Sequence, residues 1–162
     1  MALEVGAHVP KAELFVLGAS GPEKFASDEL FAGKRVALFG VPGAFTRTCS
    51  AKHLPGFVEK ADALKAAGAD DVMCLATNDV FVLAAWAQAH GAEDKVTMVS
   101  DGCLSFTQAA GLEVDLSANG FGPRCKRFSM IVDNGVVTHL HFEQPGEFGE
   151  TSADVLLRDL TQ

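Results

Sequence analysis

The stretch VALFGVPGAFTRTCS, residues 36–50, passes from an apolar, partly β-branched run into a segment rich in glycine, proline and threonine. An apolar run bounded by such residues is typical of a short buried strand, which we place at Val36–Val41. Helical periodicity follows, so we predict a helix that begins near Thr46, is kinked at Pro55 and ends at Gly68. The stretch therefore predicts a strand that leads through a tight loop into a helix.

The rest of the chain repeats these two patterns. We predict further strands at Leu14–Leu17, Val72–Thr77 and Lys95–Ser100, with a turn-rich segment between the first two strands of the chain. A hairpin is predicted to turn at Asp133-Asn134-Gly135. Further helices are predicted within 78–91 and 105–111 and at Ala153–Leu160. No repeat or low-complexity segment interrupts this order, so we expect one α/β domain over residues 1–162, with a central mixed sheet and helices on both faces. A βαβ start followed by a ββα end indicates a thioredoxin-like fold.

Charge and hydropathy exclude two classes of partner. The net charge is −8, and the dense basic cluster is limited to Arg124, Lys126 and Arg127, so we expect no nucleic acid partner. Long uncharged stretches, such as residues 36–46 and 80–90, fall well short of the roughly 18 apolar residues that a membrane-spanning helix needs. We therefore expect no membrane partner.

The amino terminus and the cysteines bear on the compartment. The opening MALEVGAHVP resembles neither a secretory signal nor a transit peptide, so we expect a cytoplasmic protein, or an organellar one if a transit peptide has been removed. The four cysteines include no C-x-x-C pair and are too few for a disulfide scaffold, which predicts reduced thiols.

Cys49 lies in the first turn of the predicted helix. Free N–H groups and the positive end of the helix dipole favour an anion there, and such positions can lower a cysteine pKa from about 8.5 to roughly 3.5–7.5. An inert, half-buried cysteine is equally compatible with position alone. The neighbours favour reactivity: Pro42 can shield one side of a thiolate, and the Thr46 hydroxyl, one helical turn earlier, can face the sulfur or cap the helix.

The spacing Pro42-x-x-x-Thr46-x-x-Cys49 resembles the P-x-x-x-T-x-x-C signature of peroxiredoxins, thiol peroxidases with a thioredoxin-like fold. PGAFTRTCSAKHLPGF, CLATNDVFVLAAWAQ and KRFSMIVDNGVV are similar to the type II, or peroxiredoxin-V-like (atypical 2-Cys), subfamily, so the similarity covers nearly the whole chain. Arg47 departs from that pattern, because type II members usually carry proline there. It would add a cation near the thiol.

The resemblance implies attack of the Cys49 thiolate on a hydroperoxide, which gives a sulfenic acid and water or an alcohol. It also implies that the Thr46 hydroxyl, the Cys49 N–H and the Arg127 guanidinium donate hydrogen bonds to the breaking O–O bond. Without the resemblance, Arg127 would be read as an ordinary surface residue. By the same resemblance, Phe45 and Phe121 could form an apolar collar around the site, although phenylalanine is more often plain core.

Three histidines are candidates that we leave outside the predicted site. His53 follows Cys49 by one turn, but a thiolate nucleophile needs no general base, so a structural or entrance role is favoured. His139 and His141 alternate on a strand like a metal pair, yet no further ligand has suitable spacing, which favours an exposed hairpin. We expect no metal and no other cofactor.

The thiol that resolves the sulfenic acid is less well defined. Cys74 follows Cys49 at a spacing similar to that of the resolving cysteine in plant-like type II members, so we expect Cys74 to resolve the sulfenic acid, although its apolar strand is also typical of a buried structural cysteine. Cys103 and Cys125 are predicted to be packing residues. The resemblance also implies glutathione with glutaredoxin, or thioredoxin, as electron donor, and a noncovalent homodimer packed near the active-site helices.

Two rival classes account for part of the pattern. A dithiol reductase would have the same fold, but the absence of a C-x-x-C pair argues against it. A nonenzymatic thiol switch would also need a reactive cysteine, and it predicts sulfenic acid formation without catalytic turnover.

Overall fold

The computed structural model describes residues 3–144 and 147–162. Its strands are β1 (Glu13–Gly18), β2 (Gly21–Ala26), β3 (Arg35–Gly40), β4 (Asp71–Ala76), β5 (Thr97–Ser100), β6 (Glu113–Asp115), β7 (Pro123–Cys125), β8 (Phe128–Asp133) and β9 (Val136–Phe142). Its helices are α1 (Ser27–Phe31), α2 (Leu54–Ala66), α3 (Val80–Ala89), α4 (Ser105–Ala109) and α5 (Ala153–Thr161), with a π-helical turn over Cys49–His53.

Seven of the strands in the described ranges form one mixed sheet, in the order β2-β1-β5-β4-β3-β8-β9. Strands β3, β4 and β5 run parallel to one another, while β1, β2, β8 and β9 join by antiparallel pairing. The short strands β6 and β7 pair separately. The predicted mixed sheet is therefore confirmed, and its parallel centre brings the carboxyl ends of β3 and β4 to the same edge.

Alternate side chains of β3 point into two separate cores. Ala37 and Phe39 pack in a cluster with α2, α3 and α5, whereas Val36 and Leu38 pack with α1 and α4. All four side chains are fully buried. Helices thus cover both faces of the sheet, as the sequence predicts, and Cys49 belongs to the first cluster.

The segment between the first two predicted strands differs from the prediction. It contains β2 and α1 where a turn-rich segment was expected. The β2 sequence GPEKFA lies at the edge of the sheet, has no fully buried residue and shows no apolar alternation. Its pairing with β1 makes it a strand, and that pairing is invisible in a hydrophobicity pattern.

The helix after β3 begins near Thr46, as predicted, because Arg47 and Thr48 are already helical. The π-helical turn follows, with the Leu54 N–H donating to the Cys49 carbonyl. Pro55 is then the second residue of α2. Proline cannot donate a hydrogen bond and crowds the carbonyl one turn earlier, so the predicted kink takes the form of this wider turn.

The hairpin prediction is confirmed in detail. Asn134 and Gly135 join β8 to β9 with positive φ angles of 49° and 84°, a conformation that asparagine and glycine tolerate best. No helix in the described part of the chain is long and apolar enough to cross a membrane.

Candidate active site

The carboxyl end of β3 and the amino end of β8 meet at one edge of the sheet. Gly40 pairs with Phe128 across these antiparallel strands, so Arg127 lies beside the loop that leaves β3. A Cβ at Gly40 would overlap the Phe128 ring, which explains the glycine at this position. This close pairing brings Arg127 to Cys49, 78 positions away in sequence.

Cys49 lies in the first turn of the helix and is fully buried. Arg127 is half-buried, and its Nη2 donates to the Cys49 Sγ at 3.1 Å. Because Cys49 is the third helical residue, its own N–H has no partner within the helix. The guanidinium and the positive end of the helix dipole both favour a negative charge on the sulfur.

Hydrogen bonds from two sides shape the loop before Cys49. The Ala44 N–H donates to Asn78 Oδ1 at 2.9 Å, and the Thr46 hydroxyl donates to the Gly43 carbonyl at 2.7 Å. Phe45, between them, has a φ of 65°. A bulky residue adopts this left-handed conformation only where its surroundings hold it, so the loop is fixed rather than relaxed.

The Thr46 hydroxyl takes part in the hydrogen bonding of the loop itself. A carbonyl can only accept, so the single hydroxyl proton of Thr46 goes to Gly43, and the hydroxyl has only lone pairs to offer a ligand. The Thr46 carbonyl accepts from the Ser50 N–H at 2.9 Å. In this conformation the Thr46 hydroxyl is bonded to the loop and keeps its lone pairs free to accept a hydrogen bond.

Pro42 is tied to the β6–β7 region by a second arginine. Arg124 donates from Nη1 to the Pro42 carbonyl at 2.9 Å and from Nε to the Phe121 carbonyl at 3.0 Å, and its guanidinium lies 5.4 Å from the Phe121 ring centroid. A Cβ on Gly43 would come within 2.7 Å of Arg124 Nη1. Sequence reasoning identified Arg124 only as part of a basic cluster.

His53 is fully buried beside Arg127. Its Nε2 lies 2.9 Å from the Thr151 carbonyl and its Nδ1 lies 2.8 Å from Arg127 Nη1. One neutral tautomer satisfies both contacts, with Nε2–H donating and Nδ1 accepting. Burial lowers the pKa of His53 to about 3, the charge of Arg127 adds to that effect, and the Thr151 bond opposes it. The structural role favoured from sequence therefore has a specific form: His53 orients Arg127.

A cleft of about 500 Å³ opens onto the site. Its lining includes Pro42, Thr48 and Arg127, near the reactive cysteine, together with apolar Val114, Leu116 and Phe142 and the carboxylate of Glu143. The two predicted collar residues do not line this cleft: Phe45 and Phe121 are 55% and 41% exposed. The apolar wall comes instead from β6, the residue after it and the end of β9, which sequence reasoning did not single out.

The other cysteines occupy different environments. Cys74 is fully buried on β4 in the same apolar cluster as Cys49, and burial, with a smaller effect of Cys49, raises its pKa well above the usual value. Burial also raises the pKa of Cys125, which packs on the opposite face. Cys103 is exposed, so its prediction as a packing residue is wrong. It lies in the loop between β5 and α4, outside both cores.

The remaining candidates lie apart from these contacts. The His141 Nε2 bonds Asp159 Oδ2 on α5 at 2.6 Å, and the His139 Nδ1 bonds the neighbouring Thr138 hydroxyl. No cluster of three or more potential metal ligands occurs among residues 3–144 and 147–162. The Arg47 side chain is exposed.

Comparison with known proteins agrees with this arrangement. The family model described as Redoxin matches residues 4–157. Peroxiredoxin-2B from Arabidopsis thaliana is 43% identical over 159 residues, which cover 98% of each chain. The chain belongs to the peroxiredoxins.

Other peroxiredoxins extend the similarity. The solved structure of reduced Prx3 from Vibrio vulnificus in complex with hydrogen peroxide matches with a TM-score of 0.94 and 46% identity, covering 98% of this chain and 99% of that one. Peroxiredoxin-2E-2, chloroplastic, from Oryza sativa subsp. japonica is 45% identical over 163 residues, covering 98% of this chain and 72% of its own length. These matches confirm the type II family and the thioredoxin-like fold predicted from sequence. As a peroxiredoxin the protein is a thiol-dependent antioxidant peroxidase.

Proposed function

We propose that the protein reduces hydroperoxides through nucleophilic attack by Cys49. The contact that carries this proposal is the 3.1 Å hydrogen bond from Arg127 to the Cys49 sulfur. The thiolate attacks one peroxide oxygen, an S–O bond forms and the O–O bond breaks. The departing oxygen takes a proton and leaves as water or an alcohol, and Cys49 becomes a sulfenic acid.

Arg127 and Thr46 are proposed to hold the peroxide from two sides. The guanidinium has further N–H donors beyond those bonded to Cys49 and His53, and these can follow the charge that builds on the departing oxygen. The Thr46 hydroxyl can accept a hydrogen bond from the O–H of the peroxide, because its own proton is bound to Gly43. The Cys49 N–H supplies another donor. Pro42 closes the pocket without competing as a donor.

Hydrogen peroxide and organic hydroperoxides with apolar substituents are the proposed substrates. The relative from Vibrio vulnificus was solved with hydrogen peroxide, which supports the small substrate. The cleft beside Arg127 has an apolar wall of Val114, Leu116 and Phe142, which suits an alkyl group. Phe45 and Phe121 remain proposed as an outer apolar rim, since one lies in the reactive loop and the other is held to it through Arg124.

Cys74 is proposed as the thiol that resolves the sulfenic acid. It shares an apolar cluster with Cys49, which supports a disulfide between them. Both thiols are fully buried. A disulfide requires Cα atoms within about 7 Å, so if the two residues lie farther apart, the first turn around Cys49 has to unwind before the bond closes. Glutathione with glutaredoxin, or thioredoxin, would then return both sulfurs to thiols. Resolution is expected to be slower than peroxide attack.

A noncovalent homodimer is proposed for the assembled enzyme. Phe45 and Phe121, near the reactive loop, and Phe81, in the first turn of α3, are large apolar side chains with 41–61% of their surface exposed. Exposed aromatic side chains near the same edge of a sheet are typical of protein interfaces.

A coupled peroxide-consumption assay tests the function. The reduced protein is given hydrogen peroxide or cumene hydroperoxide with either glutathione and glutaredoxin or thioredoxin and its reductase, and the Cys49→Ser variant is the control. We expect multiple turnovers with at least one donor and none in the variant. A single stoichiometric oxidation without turnover would instead support the thiol switch.

A further inference from the structure

We propose that Glu143 and Thr151 are positioning residues for the reaction of Cys49. They act through His53 on the guanidinium of Arg127, from a segment that follows β9 and leads into α5. The inference rests on the proposed function, because it assigns Arg127 a part in the peroxide reaction.

Glu143 is joined to the residues just before α5 by three hydrogen bonds. Its Oε2 accepts hydrogen bonds from the Gly149 N–H at 2.8 Å, from the Thr151 N–H at 2.7 Å and from the Thr151 hydroxyl at 2.7 Å. Desolvation by itself would raise the pKa of this carboxyl, but these bonds outweigh it and lower the pKa. The carboxylate therefore stays ionised and keeps Thr151 in place.

Thr151 carries that constraint to the buried histidine. Thr151 is fully buried, and its carbonyl faces His53 Nε2 at 2.9 Å. A carbonyl can only accept, so it selects the tautomer with the proton on Nε2. The other nitrogen, Nδ1, is then left with a lone pair. If the carbonyl moved away, the opposite tautomer would point an N–H at the donors of Arg127.

The lone pair on His53 is what fixes the guanidinium. Arg127 Nη1 donates to it at 2.8 Å, while Nη2 donates to the Cys49 sulfur. No carboxylate in the described ranges lies within ion-pair distance of Arg127. A neutral acceptor orients the arginine without cancelling its charge, so the full charge remains for the thiolate and the departing oxygen.

The experiment measures how far Glu143 acts through Arg127. The second-order rate constant with hydrogen peroxide is followed by stopped-flow fluorescence of Trp86, the single tryptophan, whose Nε1 donates to the Ser50 hydroxyl beside Cys49. The variants Glu143→Ala and Glu143→Gln are made in the wild-type and in the Arg127→Gln background. Glu150→Ala removes another carboxylate from the same segment and is the matched control.

We expect Glu143→Ala to lower the rate constant by roughly fivefold or more, about the effect of losing one good hydrogen bond, and Glu143→Gln to retain part of it. In the Arg127→Gln background the same change should have no effect, because the group it acts on is gone. The rate of Cys49 alkylation by iodoacetamide, a reaction that breaks no O–O bond, should change less than twofold in Glu143→Ala. Glu150→Ala should behave as wild type.

Thr151→Val and Thr151→Ser form a second, independent pair. Valine removes the hydroxyl that bonds Glu143 and should slow the peroxide reaction, while serine keeps it and should restore the rate. This pair decides the question if Glu143→Ala does not fold. The inference would be overturned if Glu143→Ala lowered the peroxide rate constant equally in the wild-type and Arg127→Gln backgrounds, or lowered the rates of peroxide reaction and alkylation equally. Either result would mean that Glu143 only stabilises the fold.

Failure of the inference is distinguishable from failure of the proposed function. If Cys49→Ser or Arg127→Gln leaves the peroxide reaction intact, the proposed function is wrong. If both abolish or greatly slow it while Glu143→Ala and Thr151→Val do not, the function stands and the positioning role is wrong.

Discussion

Replacing Arg127 with glutamine separates two ways in which an arginine can speed a thiol reaction. It can ionise the thiol, or it can stabilise the transition state in which the O–O bond breaks. At the observed distance of 3.1 Å, two unit charges attract by about 5 kcal/mol at an effective dielectric constant of 20. Much of that attraction already exists in the resting thiolate, so only the part gained on the departing oxygen accelerates the reaction.

The two effects differ in their dependence on pH. A thiol with an ordinary pKa of about 8.5 is almost fully ionised at pH 10, so any loss due to incomplete ionisation disappears there. Removing one preorganised donor from an oxyanion site costs about 10²–10³ in rate. We therefore expect Arg127→Gln to remain at least about 100-fold slower than wild type at pH 10, and Thr46→Val to show a smaller loss that also persists.

The assay is stopped-flow reaction of the reduced protein with hydrogen peroxide from pH 6 to pH 10, beside iodoacetamide alkylation as a measure of thiolate. Arg47→Gln is the matched control, since it removes an exposed cation two residues from Cys49 and should change the rate less than about threefold. If the Arg127→Gln deficit vanished at pH 10, arginine would act only by ionising the thiol, and the transition-state argument would be refuted.

Three further predictions concern stability and resolution. Below pH 6.5 the unfolded chain binds a proton at His53 that the folded chain does not bind. Lowering the pH from 7 to 5 should therefore reduce the free energy of unfolding in urea by about 2 kcal/mol more in the wild type than in His53→Asn, and an equal reduction in both would contradict the buried neutral histidine. One equivalent of peroxide without reductant should give a Cys49–Cys74 disulfide in peptide mass analysis. A persistent sulfenic acid on Cys49, or a glutathione adduct on Cys49 when glutathione is supplied, with Cys74 still free, would mean that Cys74 is only a core residue. Gly40→Ala should lower the free energy of unfolding by about 1–3 kcal/mol, because the added methyl overlaps Phe128; unchanged stability would show that the ring has room to move.

The parts of the fold that were predictable are those specified by local chemistry. The apolar run of β3, the turn at Asn134-Gly135 and the helix start near Thr46 each follow from residues that are neighbours in sequence. Strands β2, β6 and β7 were not predicted, because their short polar sequences become strands only through pairing with a partner. The exposure of Cys103 likewise depends on how a loop leaves the core.

The candidate site divides in the same way. Pro42, Thr46 and Cys49 were identified by their position and by a spacing that resembles the peroxiredoxin signature, and Arg127 by the resemblance only. The contact between His53 and Arg127 joins residues 74 positions apart, so no local pattern contains it. The four-residue spacing between Cys49 and His53, which puts both on one helix face, is the only signal that the sequence offered.

Trapping the sulfenic acid tests the central assignment most directly. The reduced Cys74→Ser variant is treated with one equivalent of hydrogen peroxide in the presence of dimedone, and the adduct is located by peptide mass analysis. Exposure alone favours Cys103, which is open to solvent, over Cys49, which is fully buried. We predict the adduct on Cys49, because only that sulfur is held by Arg127 at the helix start. An adduct on Cys103 with Cys49 unmodified would contradict the assignment.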